Sequence, residues 1–151
     1  MSGMSISIEQ QLLSEGVYVS TTSGYSMWPM LSDRRDRVIL HVKGKERLRR
    51  GDLPLYRYPD GRYVLHRIIA VKEGYYVVRG DNTYFKEQIP EEWILGYVTE
   101  FYRKGKRIDA KQKGYRLYSA LWQGIYFIRM PLHALRMTAG KIKRAIFSKK
   151  K

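Results

Sequence analysis

The apolar pattern along this chain changes period once, near residue 113. Before that point, short β-branched and aromatic runs predict strands over residues 17–22, 37–42, 53–58, 62–71, 75–79 and 94–102. Pro59-Asp60-Gly61, Glu73-Gly74 and Lys104-Gly105 carry turn chemistry between several of these runs. Connections this short favour antiparallel neighbours. Ahead of the strands, Ser7-Ile8-Glu9-Gln10 matches a capping box and Gly16 is a suitable stop, which predicts a short helix over residues 7–15.

After Gly114 the spacing becomes helical. Leu117, Leu121, Ile125, Ile128, Leu132 and Leu135 form an apolar stripe, while Arg129, Arg136 and Lys143 recur on another face. Gly124 and Pro131 are expected to weaken or kink this helix. The expected architecture is a mainly β, antiparallel fold with a short N-terminal helix and a C-terminal amphipathic helix. Its parts are a helix in residues 1–16, a β-rich domain in 17–112 and a basic helical tail in 113–151.

Charge sharpens the division. The whole chain is 151 residues with a net charge of +15. Residues 1–100 carry 14 Lys/Arg against 13 Asp/Glu, whereas residues 101–151 carry 15 Lys/Arg against Asp109 alone, or +14. A near-neutral body with so basic a tail suggests an anionic surface as partner, lipid or nucleic acid, against the plainer reading of a solvated tail. A helix rich in Arg, Lys and aromatics suits the plane of a membrane interface, so residues 115–151 are a candidate contact for an anionic membrane. The alternative is that the apolar stripe packs on the β body. No window approaches the roughly 20 apolar residues of a membrane span, and residues 1–11 lack the marks of a secretory signal. The expected location is cytoplasmic, with the tail peripheral on the inner face of the plasma membrane. With no cysteine there is neither disulfide nor thiolate site, and His41, His66 and His133 lack zinc-ligand spacing, so no metal or organic cofactor is implied.

The candidate chemistry begins at Gly24-Tyr25-Ser26-Met27-Trp28-Pro29-Met30-Leu31. A glycine-containing turn before a serine and a proline after it suit a nucleophile whose own backbone N–H groups face a developing oxyanion. Those donors would be Ser26 and Tyr25. Met27, Trp28 and Met30 either line a substrate groove or belong to the core. Forty residues on, Leu65-His66-Arg67-Ile68-Ile69 sets a histidine within a strand-like run, where partial burial would keep the imidazole neutral and able to accept a proton. A lone strand histidine is otherwise a structural residue. Arg79-Gly80-Asp81-Asn82 is a turn signature whose acid is a candidate orienter of His66.

The ordered set resembles the conserved boxes of signal peptidase I and its relatives. It runs G-x-S-M-x-P-x-L, then Gly51-Asp52 opening a strand, then L-H-R-I-I, G-D-N, and Ile94-Leu95-Gly96-Tyr97-Val98. The resemblance spans residues 22–99. It implies the β fold shared by signal peptidases and self-cleaving repressors, a Ser nucleophile at Ser26 and a base at His66, as in the histidine-type archaeal and endoplasmic-reticulum forms. Asp81 and Glu87 are both candidate acids, and the local motif match favours Asp81. Gly24 stands where bacterial enzymes often carry a serine, closer to the G-M-S-M of the repressors. The function expected is serine endopeptidase cleavage of a peptide or protein precursor by acyl-enzyme hydrolysis. The alternative is an inactive peptide- or protein-binding module of the same fold, and a nucleic-acid-binding protein ranks third.

Overall fold

The structure, a computed structural model, describes residues 7–131 and Leu135. Residues 1–6 and, from the tail, Leu132, His133, Arg136 and Lys143 lie outside the described residues. Helix α1 (Ile8–Glu15) is closed at its start by the expected capping box, with Ser7 Oγ accepting from the Gln10 N–H and the Gln10 side chain accepting from the Ser7 N–H. Gly16, in the left-handed conformation, ends it.

Nine strands follow: β1 (Val17–Thr21), β2 (Arg37–Val42), β3 (Pro54–Arg57), β4 (Tyr63–Leu65), β5 (Arg67–Lys72), β6 (Tyr75–Arg79), β7 (Glu87–Pro90), β8 (Ile94–Arg103) and β9 (Lys106–Asp109). All pairings are antiparallel. One sheet, curled into a half-barrel, runs β1-β2-β8-β3-β4, with β9 on the far end of β8; the other runs β5-β6-β7. The mainly β architecture with a short N-terminal helix and a C-terminal helix is therefore as the sequence leads one to expect.

Two cores result. Leu12, Leu31, Val38, Leu40, Val98 and Phe101 fill the hollow of the curled sheet beneath α1. Tyr56, Ile68, Tyr76, Val78 and Ile89 fill the space shared with the second sheet. Each such fully buried side chain stabilises the fold by roughly 1.5–3 kcal/mol. The run predicted as one strand over 62–71 is two. It leaves the first sheet after Leu65 and enters the second at Arg67, with His66 as the single residue of the joint. Leu65 packs against the first core and Val64 against the second, so the chain crosses the seam there.

Helix α2 (Lys113–Gly124) ends at the expected weak point, and residues 126–131 continue as helix beyond a turn at Ile125. For the stripe positions among the described residues, its orientation goes against the alternative that the apolar stripe packs on the body. The buried face carries Tyr115, Ser119, Tyr126 and Met130, while Leu117, Leu121, Ile125, Ile128 and Leu135 are exposed.

Candidate functional site

Ser26 lies in a turn between β1 and β2, and its surroundings explain the residues around it. Gly24 has φ +89°, a left-handed conformation that an L side chain rarely adopts, and its N–H donates to Asp33 Oδ1 at 2.7 Å. Trp28 N–H closes the turn on the Tyr25 carbonyl at 3.1 Å, and the Trp28–Pro29 peptide is cis. Among the described residues, no protein acceptor is hydrogen-bonded to the backbone N–H of Tyr25 or Ser26.

The Gly80-Asp81-Asn82 turn backs this loop. Asn82 N–H donates to the Ser26 carbonyl at 2.7 Å, and Asn82 Nδ2 to the Tyr25 carbonyl at 3.3 Å. A Cβ on Gly80 would stand 2.7 Å from the Ser26 carbonyl oxygen and 3.1 Å from Ser26 Cβ, so close an approach needs glycine. The backbone of the G-D-N motif thus positions the serine directly.

Its carboxylate does something else. Asp81 does not meet His66. It accepts from Arg67 Nε at 2.7 Å and from Arg67 Nη2 at 2.6 Å, a bidentate ion pair in which both residues are buried. The remaining guanidinium donors reach the Gly51 carbonyl, Tyr115 Oη, Ser119 Oγ and Met30 Sδ. Taking Asp81 as the third member of a triad is therefore corrected. A guanidinium 1% exposed must be neutralised, and the nearest acid is spent on it. Burial opposes the charge of Arg67, but Asp81 more than offsets this and raises its pKa above the ordinary arginine range.

The acid beside His66 is Glu87, on β7. His66, 8% exposed, places Nδ1 at 3.2 Å from Tyr56 Oη and 3.5 Å from Glu87 Oε2. Tyr56 Oη donates to Glu87 Oε2 at 2.6 Å. A tyrosine has one proton, and here it goes to the charged acceptor. Toward the imidazole it offers only a lone pair, so Nδ1 is the protonated nitrogen and Nε2 keeps its lone pair. Burial pulls the His66 pKa below its ordinary 6.5, and the charges of Glu87 and Asp81 only partly restore it. Desolvation pushes the Glu87 carboxyl up, but the Tyr56 hydrogen bond, the Tyr58 hydroxyl and His66 together hold it below the usual range. Burial and Glu87 push the Tyr56 hydroxyl far up, so it stays a proton donor. The arrangement is an imidazole held at Nδ1, whose lowered pKa favours its neutral form.

Ser26, His66 and Glu87 line one cleft of about 420 Å³. Its walls are β1 and β4, the end strands of the β1-β2-β8-β3-β4 path, and its floor includes Met27, Leu31, Leu40 and Leu55. Ser26 Oγ and His66 are not hydrogen-bonded to each other. Of the three residues placed on a substrate groove or in the core, Met27 does both. Met30 lies beneath, accepting from Arg67 and from Tyr115 Oη, and Trp28 is half-exposed outside the cleft. Neither lines the groove.

Sequence reasoning missed two residues. Arg67 carries a legible signal, a cation inside the apolar run Val64–Ile69 that demands a buried acid. Tyr56 carries none, being one of several tyrosines in a strand until the β3–β4 register sets it opposite Val64. No protein-family model matches this chain, and no curated protein matches it.

Proposed function

We propose that this chain is a serine endopeptidase of the signal peptidase I type, in which His66 activates Ser26 and Glu87, through Tyr56, orients His66. The observation that carries this reading is the imidazole held by Tyr56 and Glu87 on Nδ1 in the same cleft as Ser26. Ser26 Oγ attacks a peptide carbonyl as its proton passes to His66 Nε2, and the tetrahedral oxyanion takes hydrogen bonds from the Ser26 and Tyr25 N–H groups. One such donor contributes about 3–4 kcal/mol. The tetrahedral intermediate collapses, the C–N bond breaks, and His66 gives its proton to the leaving amine. Water, deprotonated by the same nitrogen, then hydrolyses the ester.

The substrate is an extended segment of a peptide or protein precursor. Free edges at β1 and β4 offer unpaired backbone groups to a strand lying between them, and the apolar floor takes small or medium side chains. Closure of the Ser26–His66 hydrogen bond accompanies substrate binding, as is common at such sites.

A serine-reactive phosphonate probe tests the assignment. The expected result is labelling at Ser26 that is lost in Ser26→Ala and in His66→Ala, with both variants folded by circular dichroism. Unchanged labelling in both variants would overturn it. The missing Ser26–His66 hydrogen bond favours one other reading, a peptide-binding module of the same fold. That reading predicts capture of extended peptides by the wild type and by Ser26→Ala alike, without labelling.

A further inference from the structure

We infer that the exposed face of the C-terminal helix docks on an anionic lipid bilayer, lying in its plane. The inference does not depend on whether Ser26 is catalytic. Its basis is an inversion in the helix. At about 100° per residue, Leu117 and Leu121 fall on the side opposite Tyr115, Ser119 and Trp122. The aromatic side is committed to the body. Trp122 Nε1 donates to the Asp81 carbonyl, Tyr126 Oη to the Thr83 and Tyr84 carbonyls, and Ser119 Oγ accepts from Arg67. The Arg79 guanidinium lies 3.2 Å from the Tyr126 ring centroid. The helix is therefore fixed in rotation by its polar and aromatic face.

What remains outward is largely apolar. Leu117 is 62% exposed, Leu121 60%, Ile128 69% and Phe127 78%, and Phe85, on the loop that Tyr126 holds, is 80% exposed. So many large apolar side chains exposed along one segment need an occupant. Charge selects it. The stripe belongs to a segment, residues 101–151, that carries a net +14, with Lys113 and Arg116 exposed on the first turns of α2. A second copy of the chain would bring the same positive field and be repelled. A nucleic acid would meet the cations but has no use for a row of leucines. An anionic bilayer satisfies both, taking the aliphatic side chains below the headgroups and the cations among them. Among the described residues no helix is long and apolar enough to cross a membrane, so the contact is interfacial.

The test uses the full chain with phosphatidylcholine vesicles, with and without phosphatidylglycerol, in a flotation assay. The expected result is binding to the anionic vesicles that weakens with salt. Leu121→Glu and Ile128→Glu should each weaken it roughly tenfold or more, while Leu121→Phe retains it. Both sites are exposed, so thermal unfolding should be unmoved, which separates lost docking from lost fold. The inference is overturned if the wild type floats with neither vesicle or equally with both, or if Leu121→Glu floats as the wild type does. It is also overturned if the wild type is dimeric without lipid and Leu121→Glu is monomeric. Duplex DNA that binds wild type and Leu121→Glu alike and displaces the vesicles would assign the cations to nucleic acid instead.

Discussion

His66 and Arg67 are adjacent in sequence and stand at the joint between the two sheets, yet they serve unlike clusters. Arg67 turns into the protein, where Asp81 is almost as buried as it is and every guanidinium nitrogen has a partner. His66 turns to the cleft, where Glu87 remains one-third exposed and the imidazole has partners on one nitrogen only. Both clusters pair a base with an acid. The difference is that the first has no unused donor or acceptor facing solvent, whereas the second keeps a lone pair free at Nε2. A saturated pair holds structure together, and an unsaturated one is available for chemistry.

The largest expected effect separates the two acids by stability. Asp81→Ala leaves an uncompensated guanidinium in the interior and should cost about 3–5 kcal/mol in urea denaturation. Replacing both charges, as Arg67→Met with Asp81→Leu, should recover part of that loss. Glu87→Gln should leave stability within about 1 kcal/mol and slow probe labelling of Ser26 roughly a hundredfold, as expected when a general base loses its orienting acid. Equal stability losses from Asp81→Ala and Glu87→Gln would erase the distinction drawn here.

Smaller effects refine it. Tyr56→Phe removes the link through which Glu87 reaches the ring, leaving the carboxylate to face Nδ1 across the 3.5 Å gap. Labelling should slow about tenfold, a loss near 1.4 kcal/mol. The smallest effect is on pH. Only neutral His66 accepts a proton, so labelling should rise with pH through the His66 pKa, with its inflection below the ordinary 6.5, because burial has lowered that pKa. Glu87 opposes the lowering. Glu87→Gln should therefore move the inflection to still lower pH, and an inflection that stays in place would show that Glu87 has no electrical contact with the ring.

Local chemistry was legible where the cause is local. The capping box at Ser7 and Gln10, the stop at Gly16 and the hairpin turns at Gly61, Gly74 and Gly105 all form where the residues indicate, since each depends on neighbours a few positions away. Strands β7 and β9 were not legible. Glu87-Gln88-Ile89-Pro90 has one core residue and ends in proline, and Lys106–Asp109 is a charged edge strand, so neither shows an apolar alternation.

The sequence by itself determined the two helices and most of the strands, the polarity of the body and the tail, and the short list of residues from which a site can be built. Only the tertiary structure decided between Asp81 and Glu87, brought Tyr56 to His66, placed Met30 beneath the groove and turned the leucines of the C-terminal helix outward. The physical reason is pairing. Which acid answers which base depends on a buried arginine claiming the first one, and which face of a helix is covered depends on the partners its other face finds. Both are set by contacts between residues 14 to 52 positions apart, which no local pattern encodes.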